Sequence, residues 1–255
     1  TYTINITGTE PLKDQSLKDL GRAVRYIRKN AKEFGIDKEK IAVCGFSAGG
    51  HLCGSLCTHF KDVKEYNANY VDYSSRPDAG ILCYPVISSE YDADSESFEM
   101  LLGKEASKEE LQYASLEKQV TKDTPPCFIW QTATDELVPV ENSYLMARAL
   151  KEQGVLYAHH VFATGQHGLS LANKDWADEN YGEPYTLEQV FGMVEAVKSG
   201  KLPCSKEDKK QLLEAFDYND EQAENHHIKN IPNEEVEIWP NMVSRWLEII
   251  FSSNK

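Results

Sequence analysis

The sequence predicts an α/β protein built on an open, mostly parallel sheet, and two observations carry that expectation. Short, wholly apolar runs recur along the chain, and stretches with helical spacing of apolar residues separate them. A strand covered by helices on both faces reads as a continuous apolar run, while a helix with one buried side repeats its apolar residues every three or four positions. Strands and helices in alternation assemble into a parallel sheet with right-handed crossovers, and chemistry then gathers at the carboxyl ends of the strands.

The first residues alternate, Tyr2, Ile4 and Ile6 against Thr3, Asn5 and Thr7, which is strand periodicity. Leu17, Leu20, Val24, Ile27, Ala31 and Phe34 then lay one apolar stripe down a helix that Asp14 or Ser16 caps and Gly35 ends. Strands are expected at Ile41 to Gly45, Ala79 to Tyr84, Cys127 to Gln131 and Val155 to Phe162. A helix from about Val140 to Gln153, stopped by Gly154, joins the last two. A final helix carries Trp239, Met242, Val243, Trp246, Ile249 and Ile250 on one face.

Composition narrows the function classes. The chain has 255 residues, with 41 acidic and 27 basic side chains and a net charge of −14. Nucleic-acid and anionic-membrane partners need a positive surface, so neither is expected. No window approaches the ~18 uninterrupted apolar residues of a membrane span. Nine of the fourteen net negative charges fall between Asn173 and Glu237. The six cysteines, Cys44, Cys53, Cys57, Cys83, Cys127 and Cys204, include no CxxC pair. Five of them lie in apolar segments, so they are expected to be reduced, buried thiols of a cytoplasmic protein. A metal site on His51, Cys53 and Cys57 lacks a fourth ligand, and no metal or organic cofactor is implied.

The chemistry concentrates after the strand at 41–45. Gly45-Phe-Ser47-Ala-Gly49-Gly50-His51 is a G-x-S-x-G elbow in its proper context, strand, sharp turn, helix. The flanking glycines are expected because side chains there would strike neighbouring backbone. A serine hydroxyl needs a base to take its proton, and the base needs an acid to hold it. Asp135 follows the strand at 127–131, and His167 follows the strand ending at Phe162. All three therefore fall at one edge of one sheet, in the order Ser, Asp, His. Glu136 is the rival acid, one residue further from its strand. Among the other histidines, His51, His159 and His160 read as packing or supporting residues and His226 and His227 as solvated. His59, at a helix end, has no acid evidently placed for it.

These residues resemble a family. The elbow, Pro77-Asp-Ala-Gly-Ile-Leu-Cys-Tyr-Pro85, Leu101-Leu-Gly103, Asp123-Thr-Pro-Pro126, Asp135-Glu-Leu-Val-Pro-Val-Glu-Asn142 and Gly165-Gln-His-Gly-Leu-Ser-Leu171 resemble the acetyl esterase/lipase group of α/β-hydrolases. Its members include the acetylxylan-esterase-like enzymes often called sugar hydrolases. The resemblance spans roughly Pro11 to Asn173 and the last helix. It implies the α/β-hydrolase fold, with Ser47 as nucleophile, Asp135 as acid, His167 as base and the backbone N–H of Ala48 as one oxyanion donor. The implied activity is removal of small acyl groups, acetyl above all, from a small-molecule or oligosaccharide ester, and homo-oligomerisation stays open.

Two departures stand out. Family members carry a glycine-rich loop before the serine whose amides complete the oxyanion hole, and no such motif precedes Ser47. The hydrolase core at 1–172 is therefore expected to be incomplete at its N-terminal side. Between the histidine loop and the core helix at 238–255 stands an acidic block at 173–237. It is expected to be a mainly helical insertion, with helices at Thr186 to Lys198 and Ser205 to Phe216, serving either as a lid beside the site or as a surface or oligomer contact. Two other functions remain open: a serine peptidase of the prolyl-oligopeptidase type, and a non-catalytic hydrolase-like protein.

Overall fold

In the computed structural model the described residues are 11–91, 96–178, 185–202, 204–206, 209–210, 212–213 and 230–252. The strand expected at 2–6, His226 and His227, and half of the helix expected at 205–216 lie outside them. Among the described residues, β1 (Ala42–Phe46), β2 (Ala79–Cys83), β3 (Cys127–Thr132) and β4 (Tyr157–Phe162) form one all-parallel sheet in the order β1-β2-β3-β4. All four expected strands are present, each with its bounds shifted by no more than two residues.

The sheet is filled from both faces because successive side chains of a strand point to opposite sides. Leu82, Cys127 and Ile129 join the core under α1 (Gln15–Lys29), α3 (Ala48–His59) and α6 (Glu141–Glu152). Their neighbours Ile81, Cys83, Phe128 and Trp130 face the other way, where α9 (Trp239–Ser252) covers them with Trp239, Val243, Trp246 and Ile250. Trp130 is fully buried there, stacked on Trp239 at 5.5 Å and met edge-on by Tyr84. Ile249, expected on that face, is instead 53% exposed.

The first helix is shorter than its stripe. Asn30 breaks it, its side-chain amide donating to the Tyr26 carbonyl at 2.8 Å and so competing with the helix ladder. Ala31–Phe34 forms a separate turn, α2, ended by Gly35 at φ 67°, and Phe34 is exposed rather than buried. Asp14 precedes α1 without a side-chain cap bond. It pairs with Lys18 at 2.6 Å instead. Arg28, at the other end of the helix, is buried against Asp78 at 2.7 Å and also donates to the carbonyls of Lys38, Ser74 and Arg76.

Cysteine burial departs from expectation at one position. Cys53, Cys57, Cys83 and Cys127 are buried, and burial pushes the Cys53 thiol up to about 12. Cys44 is exposed. β1 is one of the two edge strands among the described residues, and Ala42 and Cys44 are exposed on it.

The connection from β2 to β3 contains α4 (Glu96–Leu102) and α5 (Lys108–Ala114), the latter opened by a full capping box between Ser107 and Glu110. Phe98 and Leu101 pack there against Val86 and Val138. Past the histidine loop come α7 (Lys174–Ala177) and α8 (Tyr185–Lys198), the second matching the first helix expected in the acidic block. Val194 and Val197 of α8 cluster with Leu212.

Candidate active site

Ser47 sits between β1 and α3 at φ 55°, a left-handed conformation unusual for a side chain-bearing residue. The turn is held in place by its amide, which donates to the Cys83 carbonyl at 3.0 Å, and by its carbonyl, which accepts from Val86 N at 3.3 Å. Gly45 is sterically required, since a Cβ there would lie 2.0 Å from the Gly49 carbonyl oxygen. A Cβ at Gly50 would lie 2.8 Å from the Pro85 side chain and 3.0 Å from its Cα. Gly49, the second glycine of the motif, faces open space. The expected steric need therefore falls on Gly45 and Gly50, because the helix turns Gly49 outward.

Asp135 stands in the loop after β3, its side chain 1% exposed. Its Oδ1 accepts from the amides of Leu137 at 3.1 Å and Val138 at 2.9 Å. Its Oδ2 accepts from Gln131 Nε2 at 3.4 Å and from His167 Nδ1 at 2.7 Å. His167 Nε2 lies 2.8 Å from Ser47 Oγ. A carboxylate only accepts, so Nδ1 carries the proton and Nε2 is left to accept from the serine hydroxyl. Three side chains from three loops, 120 residues apart at the extremes, thus form one hydrogen-bonded line at the carboxyl edge of the sheet.

The loops bearing Asp135 and His167 are tied to each other. Thr132 Oγ1 donates to the Gly165 carbonyl at 2.8 Å, and Thr134 Oγ1 both donates to that carbonyl and accepts from Gly165 N. Tyr84, at the end of β2, packs its ring on the His167 imidazole, and its hydroxyl accepts from Ser170 N at 3.1 Å. Backbone strain gathers at this edge. Of five non-glycine residues with positive φ among the described residues, Ser47, Tyr84, Ser170 and Ala172 surround the site, as expected where structure is held for function. Sequence reading missed Tyr84 as a support and Gln131 altogether.

The remaining candidates sort out clearly. Glu136 is exposed and points into a cleft rather than to His167. His51 is buried, its Nε2 donating to the Ala114 carbonyl at 2.9 Å, and burial lowers its pKa to about 4. His59 stacks on Tyr113, and Asp62 lies 3.6 Å from its Nδ1, so an acid does face it. His159 meets Ser143 Oγ at 3.0 Å and His160 packs on Phe128, both lowered by burial. Ala48 opens α3, where the first amides have no intrahelical acceptor.

The return from the acidic block is anchored to the histidine loop. The Glu235 carboxylate accepts from Ala163 N at 3.2 Å, while Asn233 Nδ2 donates to the Thr164 carbonyl and Asn233 N to that of Ala172. No helix among the described residues is long and apolar enough to cross a membrane.

Residues 9–150 match the BD-FAE family. The chain is 52% identical over 191 residues to endo-1,4-beta-xylanase B of Butyrivibrio fibrisolvens, covering 75% of this chain and 30% of that protein. It is 31% identical over 158 residues to an acetylxylan esterase of Xylanibacter ruminicola, covering 60% of this chain and 31% of the other. The crystal structure of an acetyl ester-xyloside bifunctional hydrolase from Caldicellulosiruptor lactoaceticus is similar at 44% identity and a TM-score of 0.58, over 61% of this chain and 58% of that one. The fold is that of the α/β-hydrolases. The chain spans about a third of the length of the curated relatives it matches.

Proposed function

Since the chain belongs to the BD-FAE family, we propose that it is a serine ester hydrolase removing small acyl groups, acetyl foremost, from a sugar or similar alcohol. The observation that carries this reading is the line of two short hydrogen bonds, Ser47 to His167 at 2.8 Å and His167 to Asp135 at 2.7 Å. The names of the relatives, an acetylxylan esterase and an acetyl ester-xyloside hydrolase, support the acetylated sugar.

Ser47 Oγ attacks the ester carbonyl carbon as its proton passes to His167 Nε2. The carbonyl oxygen becomes an oxyanion facing the Ala48 amide at the start of α3. As the tetrahedral intermediate collapses, the bond to the alcohol oxygen breaks and His167 returns the proton to that oxygen. Water then attacks the acyl carbon as its proton passes to the same imidazole, the bond to Ser47 Oγ breaks, and His167 returns the proton to Oγ as the acid departs. Asp135 keeps the Nδ1–H tautomer and stabilises the imidazolium formed in both halves.

Ser47→Ala should abolish hydrolysis of p-nitrophenyl acetate by the intact protein. A fluorophosphonate should label Ser47, visible as a mass increment on the peptide containing it. Retained hydrolysis by the Ala variant, or labelling elsewhere only, refutes the assignment.

A further inference from the structure

A cleft of about 690 Å³ opens beside the hydrogen-bonded line, walled by Thr134, Glu136 and Leu137 of the acid loop and by residues 164–167 of the histidine loop. That volume is ordinary for a small-molecule site. The cleft touches His167 and does not include Ser47 among its walls. In the proposed reaction His167 hands its proton to the departing alcohol, so the alcohol stands on the imidazole's side of the serine. The cleft therefore lies on the alcohol side, away from the acyl group.

Its walls differ from the rest of the site in having polar capacity to spare. Asp135 is occupied by four donors, and Thr134 is spent on Gly165. Among the described residues, Glu136 and Gln166 make no side-chain hydrogen bond or ion pair, and both are exposed to the cleft. A carboxylate only accepts and an amide both donates and accepts, so together they match the paired hydroxyls of a polyol. Leu137, 55% exposed, offers an apolar surface to the C–H face of a pyranose ring. Two carboxylates stand on this side. Glu136 lines the cleft, and the Glu235 carboxylate is fixed on Ala163, next to the wall residue Thr164.

We propose that Glu136, Gln166 and Leu137 form the alcohol-side subsite, which takes an uncharged pyranoside and disfavours an alcohol carrying a carboxylate. This rests on the ester-hydrolase reading. Recognition comes from hydroxyl hydrogen bonds, and selectivity from like-charge repulsion, the unfavourable element that specificity requires.

The test compares three esters with the intact protein: p-nitrophenyl acetate, acetylated xylotriose, and acetylated xylotriose bearing a uronic acid. For Glu136→Ala, the kcat/KM ratio of the neutral acetylated sugar to p-nitrophenyl acetate should fall about 10-fold, as lost hydroxyl hydrogen bonds predict. For Glu136→Gln, which keeps shape and acceptor but loses charge, the ratio of the uronic ester to the neutral one should rise at least about 5-fold. The preference of the unsubstituted protein for the neutral sugar should weaken as salt is raised. If both ratios stay at their original values in both variants while p-nitrophenyl acetate is hydrolysed, the subsite is wrong and the esterase reading stands. If the unsubstituted protein hydrolyses none of the three, the esterase reading falls and takes this inference with it.

Discussion

The ring of Tyr84 stands edge-on to the imidazole of His167, with centroids 5.0 Å apart and planes at 74°. Tyr84 holds this pose at a backbone φ of 36°, a conformation costly for a bulky residue. Its hydroxyl grips Ser170 N, three residues beyond the histidine, and burial raises the phenol well above its usual range. The ring thus blocks one direction of imidazole rotation while the hydroxyl fixes the loop that carries it. Tyr84→Phe keeps the ring and strands the Ser170 amide. We expect kcat for p-nitrophenyl acetate to fall several-fold with a smaller change in KM, and stability to drop by about 1 kcal/mol. Steady-state kinetics and urea titration would check both, and an unchanged kcat would remove Tyr84 from the support of His167.

Gln131 supports the acid in the same manner from the opposite side. Fully buried at the end of β3, it donates from Nε2 to the Val138 carbonyl at 2.6 Å and to Asp135 Oδ2 at 3.4 Å. Gln131→Leu has similar volume and no donor, so the buried Val138 carbonyl loses its partner. A loss of about 1–3 kcal/mol in denaturant unfolding is expected, together with reduced kcat. Stability equal to the original protein's would show that the loop does not depend on this bond.

Asp135→Asn tests the tautomer argument. An amide can donate to Nδ1 and so favours the wrong protonation of the ring, a change that costs about 10⁴ in kcat where the same triad has been dissected. Hydrolysis of p-nitrophenyl acetate within tenfold of the original would refute the role given to Asp135.

The two glycines of the elbow motif should behave differently. Gly45→Ala drives a Cβ into backbone at 2.0 Å and should yield little folded protein. Gly49→Ala, in open space at the second position of α3, should fold and gain up to about 0.5 kcal/mol, since alanine loses less freedom than glycine on entering a helix. Thermal unfolding of the pair would decide, and equal melting temperatures would contradict the steric account.

His51 makes stability depend on pH. Its folded pKa, about 4, lies below the ordinary 6.5, so between those values the unfolded chain binds more protons than the folded one. Stability from this residue is therefore full above pH 6.5 and is lost as pH falls toward 4, by roughly 3 kcal/mol at the limit. Replacing His51 with Gln should flatten that acid limb in urea midpoints measured from pH 7 to 4. An identical slope would assign the acid sensitivity to other groups.

Most of the sheet, and the gathering of Ser47, Asp135 and His167 at one of its edges, were legible in the sequence, because local rules encode them. The apolar runs at 79–84 and 127–131 mark strands wherever they pack, and Ser47, Asp135 and His167 each follow a strand, which alone puts them at one edge. Tertiary structure decided what periodicity does not contain. That Cys44 is exposed goes with its place on an edge strand, and that Phe34 is exposed depends on Asn30 breaking the helix. Gly49 is free while Gly45 is not because of an approach between two turns of backbone. Tyr84 reaches Ser170 across 86 residues of chain, and Glu136 turns into a cleft that exists only once two loops meet. Spacing along the chain fixes which face a residue shares with its near neighbours. Which distant group that face meets is set by packing, and so the support of the site and the surface offered to substrate could be read only from the folded molecule.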